Sequence, residues 1–317
     1  MNDSQYLNLL NKLRDIELEK IEKEKIEGVP YTEFLALMNI SYEFHEKWKE
    51  DEIINAWIDY RVNLQLGNIY HENPYAFSGW DKIIGIEHME EILQNGGAFL
   101  TWHYGDYRHI FVPMKNQLKL LNKKMYLIVD EESYIHNKKL KKWEFLREES
   151  NVYMLNSQDV SSGLYLYKEL CRGNCFNLFL DGQTGYGKDN YYLTTKLLRS
   201  TVQVRSGVFR IMALANKPIS LVIATRDSSE NNILIFHKPI YIKREDIDSI
   251  NQQFHNIFEQ YLIKRAGLWR LWFRHHKYIV ATPREPSPPI SDLVWFLKED
   301  PNVKLCLSNG QLYKVLV

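Results

Sequence analysis

The chain has 317 residues and is neutral overall, with 40 lysines and arginines against 40 aspartates and glutamates. This length can bury the core of one large domain with additions, and the balanced charge excludes a global field that would attract nucleic acid. The 3 cysteines are too few for a disulfide framework, and the apolar runs fall short of the roughly 20 residues that a bilayer span needs. We therefore expect a cytoplasmic protein with no transmembrane segment and at most peripheral membrane contact.

The first 80 residues predict a helical region. Apolar residues recur at helical spacing over residues 4–27, and Gly28 and Pro30 end that pattern. Two further helical patterns follow, one after Thr32 and one from Tyr42 to Gly67.

From residue 83 onward, short apolar runs alternate with helical patterns. The predicted strands are 98–102, 125–129, 175–180, 219–224 and 233–242, and the predicted helices between and after them are 107–121, 138–149, 160–170, 202–216 and 244–266. This alternation is typical of an α/β fold with a mainly parallel central sheet flanked by helices.

A proline-rich stretch near residue 283 predicts a stiff linker. Beyond it, the sequence indicates a short helix and a hairpin that turns at Asn309 and Gly310, an appendage too small to be stable alone. The predicted organisation is a helical region (1–80), an α/β core (81–282), and a linker with a C-terminal helix-hairpin appendage (283–317).

The most informative segment joins the strand 98–102 to His103, Tyr104, Gly105 and Asp106. In open α/β sheets, ligands bind at the carboxyl ends of parallel strands. A histidine at such a position can take a proton from a hydroxyl or amine, and Asp106 is the nearest carboxylate that could orient it. The same pattern also suits a histidine that caps a helix or lies in the core.

Two other polar segments follow predicted strands or begin helices. Asp181 and Gln183 follow the strand 175–180, where Asp181 would either face a ligand or cap the turn. Residues 199–207 predict a helix start, whose free amides together with Arg205 would suit an anion.

Five segments, in the same order, resemble the lysophospholipid acyltransferase superfamily, specifically the branch of bacterial lipid A late (lauroyl and myristoyl) acyltransferases. Residues 84–97 resemble the segment that leads into the family's histidine strand, and residues 180–183 resemble its "PDQ" turn. The other three are 200–207, similar to a small-Thr-Gly helix start, 218–222, similar to "APVVPV", and 269–274, similar to "QWxWxHRR". The resemblance covers about residues 80–280.

The resemblance implies an acyltransferase that moves an acyl group from a phosphopantetheine thioester to a hydroxyl or amine, with His103 as general base and no bound cofactor or metal. In the family, an acid five residues after the histidine orients it, but here that position is Arg108, which cannot accept the imidazole proton. Three interpretations follow. Asp106 takes over, or His103 acts alone or with a distant acid such as Asp181, or the fold has lost catalysis.

The resemblance also implies further site residues and partners. Arg147 would polarise the thioester carbonyl or hold a phosphate, unless it is a solvated helix residue. The donor would be an acyl or peptidyl carrier protein or coenzyme A, with the basic segment 136–142 as a candidate docking patch for the acidic carrier. The acceptor would be soluble or carrier-bound, and the alternatives are a thioester hydrolase or a catalytically silent acyl- or carrier-binding module. The expected substrate-binding residues are Tyr104, Gly105, Arg108, Asp181, Gln183, Thr201 and Arg205.

Overall fold

The computed structural model describes residues 3–73, 76–138, 151–183, 185, 192–281 and 294–315. Its α-helices are α1 (Asp3–Glu27), α2 (Tyr31–Phe44), α3 (Glu50–Glu72), α4 (Ile86–Asn95), α5 (Lys115–Leu120), α6 (Glu131–Lys138), α7 (Ser162–Cys171), α8 (Gly207–Ala215) and α9 (Ile247–Arg265). Its strands are β1 (Lys82–Ile84), β2 (Gly97–Thr101), β3 (Met125–Val129), β4 (Val152–Asn156), β5 (Cys175–Phe179), β6 (Tyr192–Leu197), β7 (Ser200–Arg205), β8 (Ile219–Arg226), β9 (Asn232–Phe236), β10 (Ile279–Ala281), β11 (Trp295–Phe296), β12 (Val303–Cys306) and β13 (Gln311–Lys314).

The chain divides into two compact units. Unit 1 contains residues 1–79, 196–202 and 255–317, and unit 2 contains residues 80–195 and 203–254. Residues 255–281, which the sequence analysis assigned to the α/β core, are grouped with the N-terminal helices.

Unit 1 begins with the helices α1, α2 and α3, which confirms the predicted helical N-terminal region. α1 ends at Gly28, whose φ of +87° is one that side chains with a Cβ rarely adopt. A Cβ at this position would also lie 2.7 Å from Cα of Lys298. The glycine therefore both stops α1 and lets the C-terminal segment approach it.

The C-terminal segment of unit 1 forms an antiparallel sheet in which β12 pairs with both β11 and β13. Val29 forms an isolated bridge with Leu297, and the Ser41 hydroxyl donates to the carbonyl of Leu307 over 2.6 Å. These contacts attach the segment to α2 and to the residues before it. The predicted linker, 283–289, and residues 290–293 of the predicted short helix lie outside the described residues.

The tryptophan-rich segment also belongs to the core of unit 1. Trp269 and Trp272 are fully buried, with ring centroids 4.7 Å apart. Nearby, Nε2 of His275 lies 2.6 Å from Oε1 of Glu43, and the Ser200 hydroxyl donates to the same carboxylate. Because both the histidine and the carboxylate are inaccessible to solvent, we assign this cluster to the packed core of unit 1.

Unit 2 is built on a seven-stranded sheet with the order β1-β9-β8-β2-β5-β3-β4. Neighbouring strands are parallel except for β8 and β9, which form an antiparallel pair. The predicted α/β class with a mainly parallel sheet is therefore confirmed. The central strand β2 is buried along its whole length, as expected when both faces of a parallel sheet are covered.

One hydrophobic cluster fills the space beside this sheet. Its buried members come from helices α4 and α5, from the central strands and from the loop after β2; they are Met89, Ile92, Leu93, Phe99, Ile110, Phe111, Met114, Leu118, Met125, Val152, Cys175, Val222, Ala224, Leu234 and Phe236. The cluster holds the segment after β2 against the sheet from one side.

Several predicted elements differ from the structure. The predicted strand 233–242 is shorter, since β9 ends at Phe236. Residues 200–205, predicted to start a helix, form strand β7, and α8 begins only at Gly207. Their burial alternates with period two, and β-branched residues such as Val202 and Val204 favour a strand. The predicted helix 107–121 consists of short 3₁₀ turns followed by α5, with Pro113 at the start of the second turn. Among the described residues, no helix is both long and apolar enough for a bilayer crossing.

Candidate active site

His103 and Asp181 lie side by side at the carboxyl ends of two neighbouring strands. β2 and β5 are parallel and in register, with Thr101 opposite Phe179. The backbone N–H of Leu180 donates to the Thr101 carbonyl over 2.7 Å, which extends the pairing past the strand ends. Residues two positions beyond Thr101 and Phe179 therefore meet, although 78 positions separate them in the sequence.

The Asp181 carboxylate holds His103 at two points. Oδ2 accepts the backbone N–H of His103 over 2.9 Å, and Oδ1 lies 2.8 Å from Nδ1 of the ring. Because an ionised carboxylate only accepts hydrogen bonds, the proton of the neutral imidazole lies on Nδ1. Nε2 is then the basic nitrogen, and none of the described residues forms a hydrogen bond with it.

Accessibility differs between the two partners. The His103 side chain is 24% exposed, whereas the Asp181 side chain is 4% exposed. A buried carboxylate that orients a partly exposed imidazole is the arrangement that a general base requires. The ring is therefore accessible to a reactant, and the alternative of a histidine enclosed in the hydrocarbon core is excluded.

Two aromatic rings surround the imidazole. The ring of Phe179 stacks on His103 with centroids 4.2 Å apart and an interplanar angle of 23°. The ring of Tyr107 packs edge to face against His103, with ring centroids 4.9 Å apart and an interplanar angle of 70°. Its centroid lies 5.4 Å from that of Phe179. The imidazole is thus fixed by one hydrogen bond and two ring contacts.

Asp106, predicted as the acid that orients His103, does not have that role. Its Oδ2 accepts a hydrogen bond from Nη2 of Arg226 over 3.0 Å, and both side chains are almost fully buried. The Arg226 Nε also donates to the side chain of Asn232 over 3.3 Å. The prediction was wrong because Asp106 pairs with Arg226 at the end of β8, and the carboxylate that contacts the imidazole is that of Asp181. The pair instead attaches the turn after His103 to β8.

Gly105 brings the same turn close to β8. Its φ is +57°, and a Cβ at this position would collide with the carbonyl oxygen of Ala224. Only glycine fits here without displacing backbone. Gly105, which was predicted to bind substrate, is required as a glycine by the close approach of the turn after His103 to β8.

His109 lies at the end of the same turn and is buried. Burial lowers its pKa to about 4, Arg108 and Lys115 act in the same direction, and Asp106 opposes the shift. His109 is therefore neutral at physiological pH and belongs to the support of the site, since the carbonyl of His109 also accepts the indole N–H of Trp80 over 3.2 Å.

The other predicted site residues have varied surroundings. Tyr104 is fully buried, and Arg108 is half-buried with its guanidinium 5.3 Å from the centroid of the Tyr107 ring. The backbone carbonyl of Gln183 accepts a hydrogen bond from Nε of Arg205 over 2.6 Å, so these two residues lie together near the turn that carries Asp181. Thr201 lies on β7, in the part of that strand that belongs to unit 1.

Two sequence predictions fall on residues whose structure is not described. Arg147 lies outside the described residues, as do most of the side chains in the basic segment 136–142. Among the described parts of the chain, no group of three or more His, Cys, Asp or Glu side chains could hold a metal ion.

Sequence reasoning missed three residues of the site. Arg226 gave a weak signal, since it is a charged residue at the end of an otherwise apolar strand. Phe179 and Tyr107 look like ordinary core aromatics in the sequence; the register of β2 and β5 brings Phe179 to the imidazole, and the 3₁₀ turn after His103 brings Tyr107 to it. Comparison with known proteins adds no relative: no family model matches the chain, and no curated protein matches it.

Proposed function

We propose that the protein is an acyltransferase in which His103, oriented by Asp181, is the general base. The observation that carries this proposal is the 2.8 Å contact between Nδ1 and the buried carboxylate, with the ring partly exposed. The resemblance of five sequence segments to the lysophospholipid acyltransferase superfamily gives the proposal its reaction class. A dyad of this kind activates a hydroxyl or amine for attack on a carbonyl.

In the proposed reaction, Nε2 of His103 takes the proton of the acceptor hydroxyl or amine while the acceptor oxygen or nitrogen attacks the thioester carbonyl. Asp181 stabilises the imidazolium that forms. The tetrahedral intermediate then collapses, the carbon–sulfur bond breaks, and the imidazolium returns the proton to the leaving thiolate. The donor is a phosphopantetheine thioester of a carrier protein or of coenzyme A, and the acceptor is a soluble or carrier-bound molecule.

The test is incubation of the purified protein with a panel of acyl carrier protein and acyl coenzyme A thioesters, with and without hydroxyl and amine acceptors. Intact mass spectrometry distinguishes an acylated acceptor, a free acid and an unchanged thioester, which correspond to transfer, hydrolysis and binding alone. Transfer supports the proposal. Free acid at the same rate with and without acceptor would identify a hydrolase instead, and an unchanged thioester throughout would refute catalysis.

The variant that connects the reaction to the site is His103→Ala. We expect transfer to fall by about 10²–10⁴-fold, the usual contribution of a general base, with donor binding retained. His71→Ala is the matched control, because His71 is an exposed histidine on α3. Equal rates for both variants would show that His103 is not the base.

A further inference from the structure

We propose that Phe179 is a positioning residue that fixes the plane of the His103 ring and stabilises its charged form during the reaction. This inference rests on the proposed function of His103 as a base. It begins with a property of the hydrogen bond to Asp181. One bond at Nδ1 determines which nitrogen is basic, but a single hydrogen bond still allows the plane of the ring to tilt. A second constraint must set the direction of Nε2.

The stack on Phe179 supplies that constraint. The two rings are nearly parallel, at 23°, and their centroids are 4.2 Å apart, so rotation of the imidazole would drive its edge into the phenyl face. Tyr107 packs against another side of the imidazole, with an interplanar angle of 70° and ring centroids 4.9 Å apart. With Asp181 these contacts leave one orientation for Nε2, which is the kind of preorganisation that proximity effects depend on.

The location of Phe179 argues for a role in the site and against simple core filling. Phe179 is half-buried and lies two residues before Asp181, at the end of β5. A single strand end therefore supplies both the carboxylate for one ring nitrogen and the aromatic face for the ring plane. Phe176, on the same strand, is buried and packs instead against Tyr126, with centroids 5.6 Å apart.

The stack also has an electrostatic consequence. The face of an aromatic ring attracts a cation placed within about 6 Å of its centroid, and the imidazole becomes a cation when Nε2 takes the acceptor proton. Phe179 therefore stabilises the charged ring more than the neutral one. This difference lowers the barrier of the chemical step and leaves substrate binding unchanged.

The test compares Phe179→Leu with Phe176→Leu, which removes an aromatic ring from the same strand without touching His103. We expect Phe179→Leu to lower kcat by about tenfold with KM within about twofold of the wild type, and Phe179→Tyr to restore the rate. Phe176→Leu controls for the loss of packing, and circular dichroism checks that each variant is folded.

A spectroscopic readout makes the result independent of the substrate. In spectra of histidine-labelled protein, the His103 ring protons, identified by their absence in His103→Ala, lie in the ring current of Phe179. They should move downfield in Phe179→Leu and stay in place in Phe176→Leu. Absence of wild-type turnover would refute the proposed function, whereas wild-type turnover that Phe179→Leu leaves undiminished would refute the role of Phe179. Unmoved His103 resonances would refute the stack itself.

Discussion

Replacement of Asp181 by asparagine tests the assignment of the acid most directly. The carboxylate accepts two N–H groups of His103, at 2.9 and 2.8 Å, but an amide offers only one oxygen. If that oxygen keeps the backbone N–H, the amide NH₂ faces Nδ1 and forces the ring proton onto Nε2. The ring would then present its basic nitrogen to the amide and not to the acceptor.

The magnitude follows from these contacts. Loss of one charge-assisted hydrogen bond, about 1.5–3 kcal/mol, corresponds to a fall in kcat of about 10- to 150-fold. Reversal of the tautomer increases the loss toward about 10⁴-fold, the effect of the analogous change in serine protease triads. We therefore expect Asp181→Asn to lower kcat by about 10²–10⁴-fold with little change in KM.

Asp106→Asn is the matched comparison, because it makes the same chemical change at the carboxylate that is nearest to His103 in the sequence. Asp106 pairs with the buried Arg226 and does not contact His103. The amide oxygen can still accept one bond from the guanidinium, so the cost is the weakened ion pair. We expect a loss of about 2 kcal/mol in the free energy of unfolding and a kcat within a few-fold of the wild type.

The assay is acyl transfer with the donor found in the thioester panel, together with urea unfolding of each variant. Nitrogen chemical shifts of labelled His103 report the tautomer without any substrate. If Asp106→Asn abolished turnover at full stability while Asp181→Asn turned over normally, the assignment of Asp181 as the orienting acid would be wrong. The same conclusion would follow if the ring tautomer were unchanged in Asp181→Asn.

Two further predictions concern the turn that carries His103. Gly105→Ala should lower the free energy of unfolding by at least about 2 kcal/mol, because the left-handed backbone and the collision with Ala224 both oppose a Cβ; Gly173→Ala, at a φ of +83° where a Cβ would meet nothing closer than Nζ of Lys123 at 3.6 Å, should cost mainly the backbone term. Equal losses in urea unfolding would show that the close approach is unimportant. The free energy of unfolding should also decrease as the pH is lowered, because the pKa of His109 is about 4 in the folded protein and about 6.5 in the unfolded chain. This contribution is complete above pH 6.5 and is lost as the pH falls toward 4, for a total of about 3 kcal/mol. His109→Gln should flatten that part of the curve, and an unchanged slope would contradict the assignment.

The sequence predicted β2, β3 and β5 well because each carries a short apolar run with clear boundaries, whereas the parallel strands β1 and β4 were not predicted. β2, β3 and β5 lie within one residue of their predicted positions. β7 was not predicted, because Ser200–Arg205 is short and precedes a true helix, so its alternating pattern merged with the helical one. Burial on alternate faces of the strand is visible only once the neighbouring elements are in place.

The local sequence indicates His103 as the candidate base, but it leaves the acid open between the adjacent Asp106 and the distant Asp181. His103 follows a buried strand directly, and position alone marks it as a candidate. Asp106 was the natural choice of acid because it is close in sequence, yet its charge is neutralised by Arg226, 120 positions away. No local sequence pattern indicates such an ion pair.

The register of two parallel strands explains why a distant acid can replace an adjacent one. Parallel pairing aligns β2 with β5 residue by residue. The residue two positions after Thr101 therefore lies next to the residue two positions after Phe179, whatever side chains they carry. The carboxylate must therefore lie at a fixed position relative to the end of β5. Its separation from His103 in the sequence can have any value. In the proposed dyad, Arg108 occupies the position that the acid has in the motif of the family that the chain resembles, and Asp181 supplies the carboxylate from the neighbouring strand. The missing acid in the motif therefore does not argue against catalysis by His103.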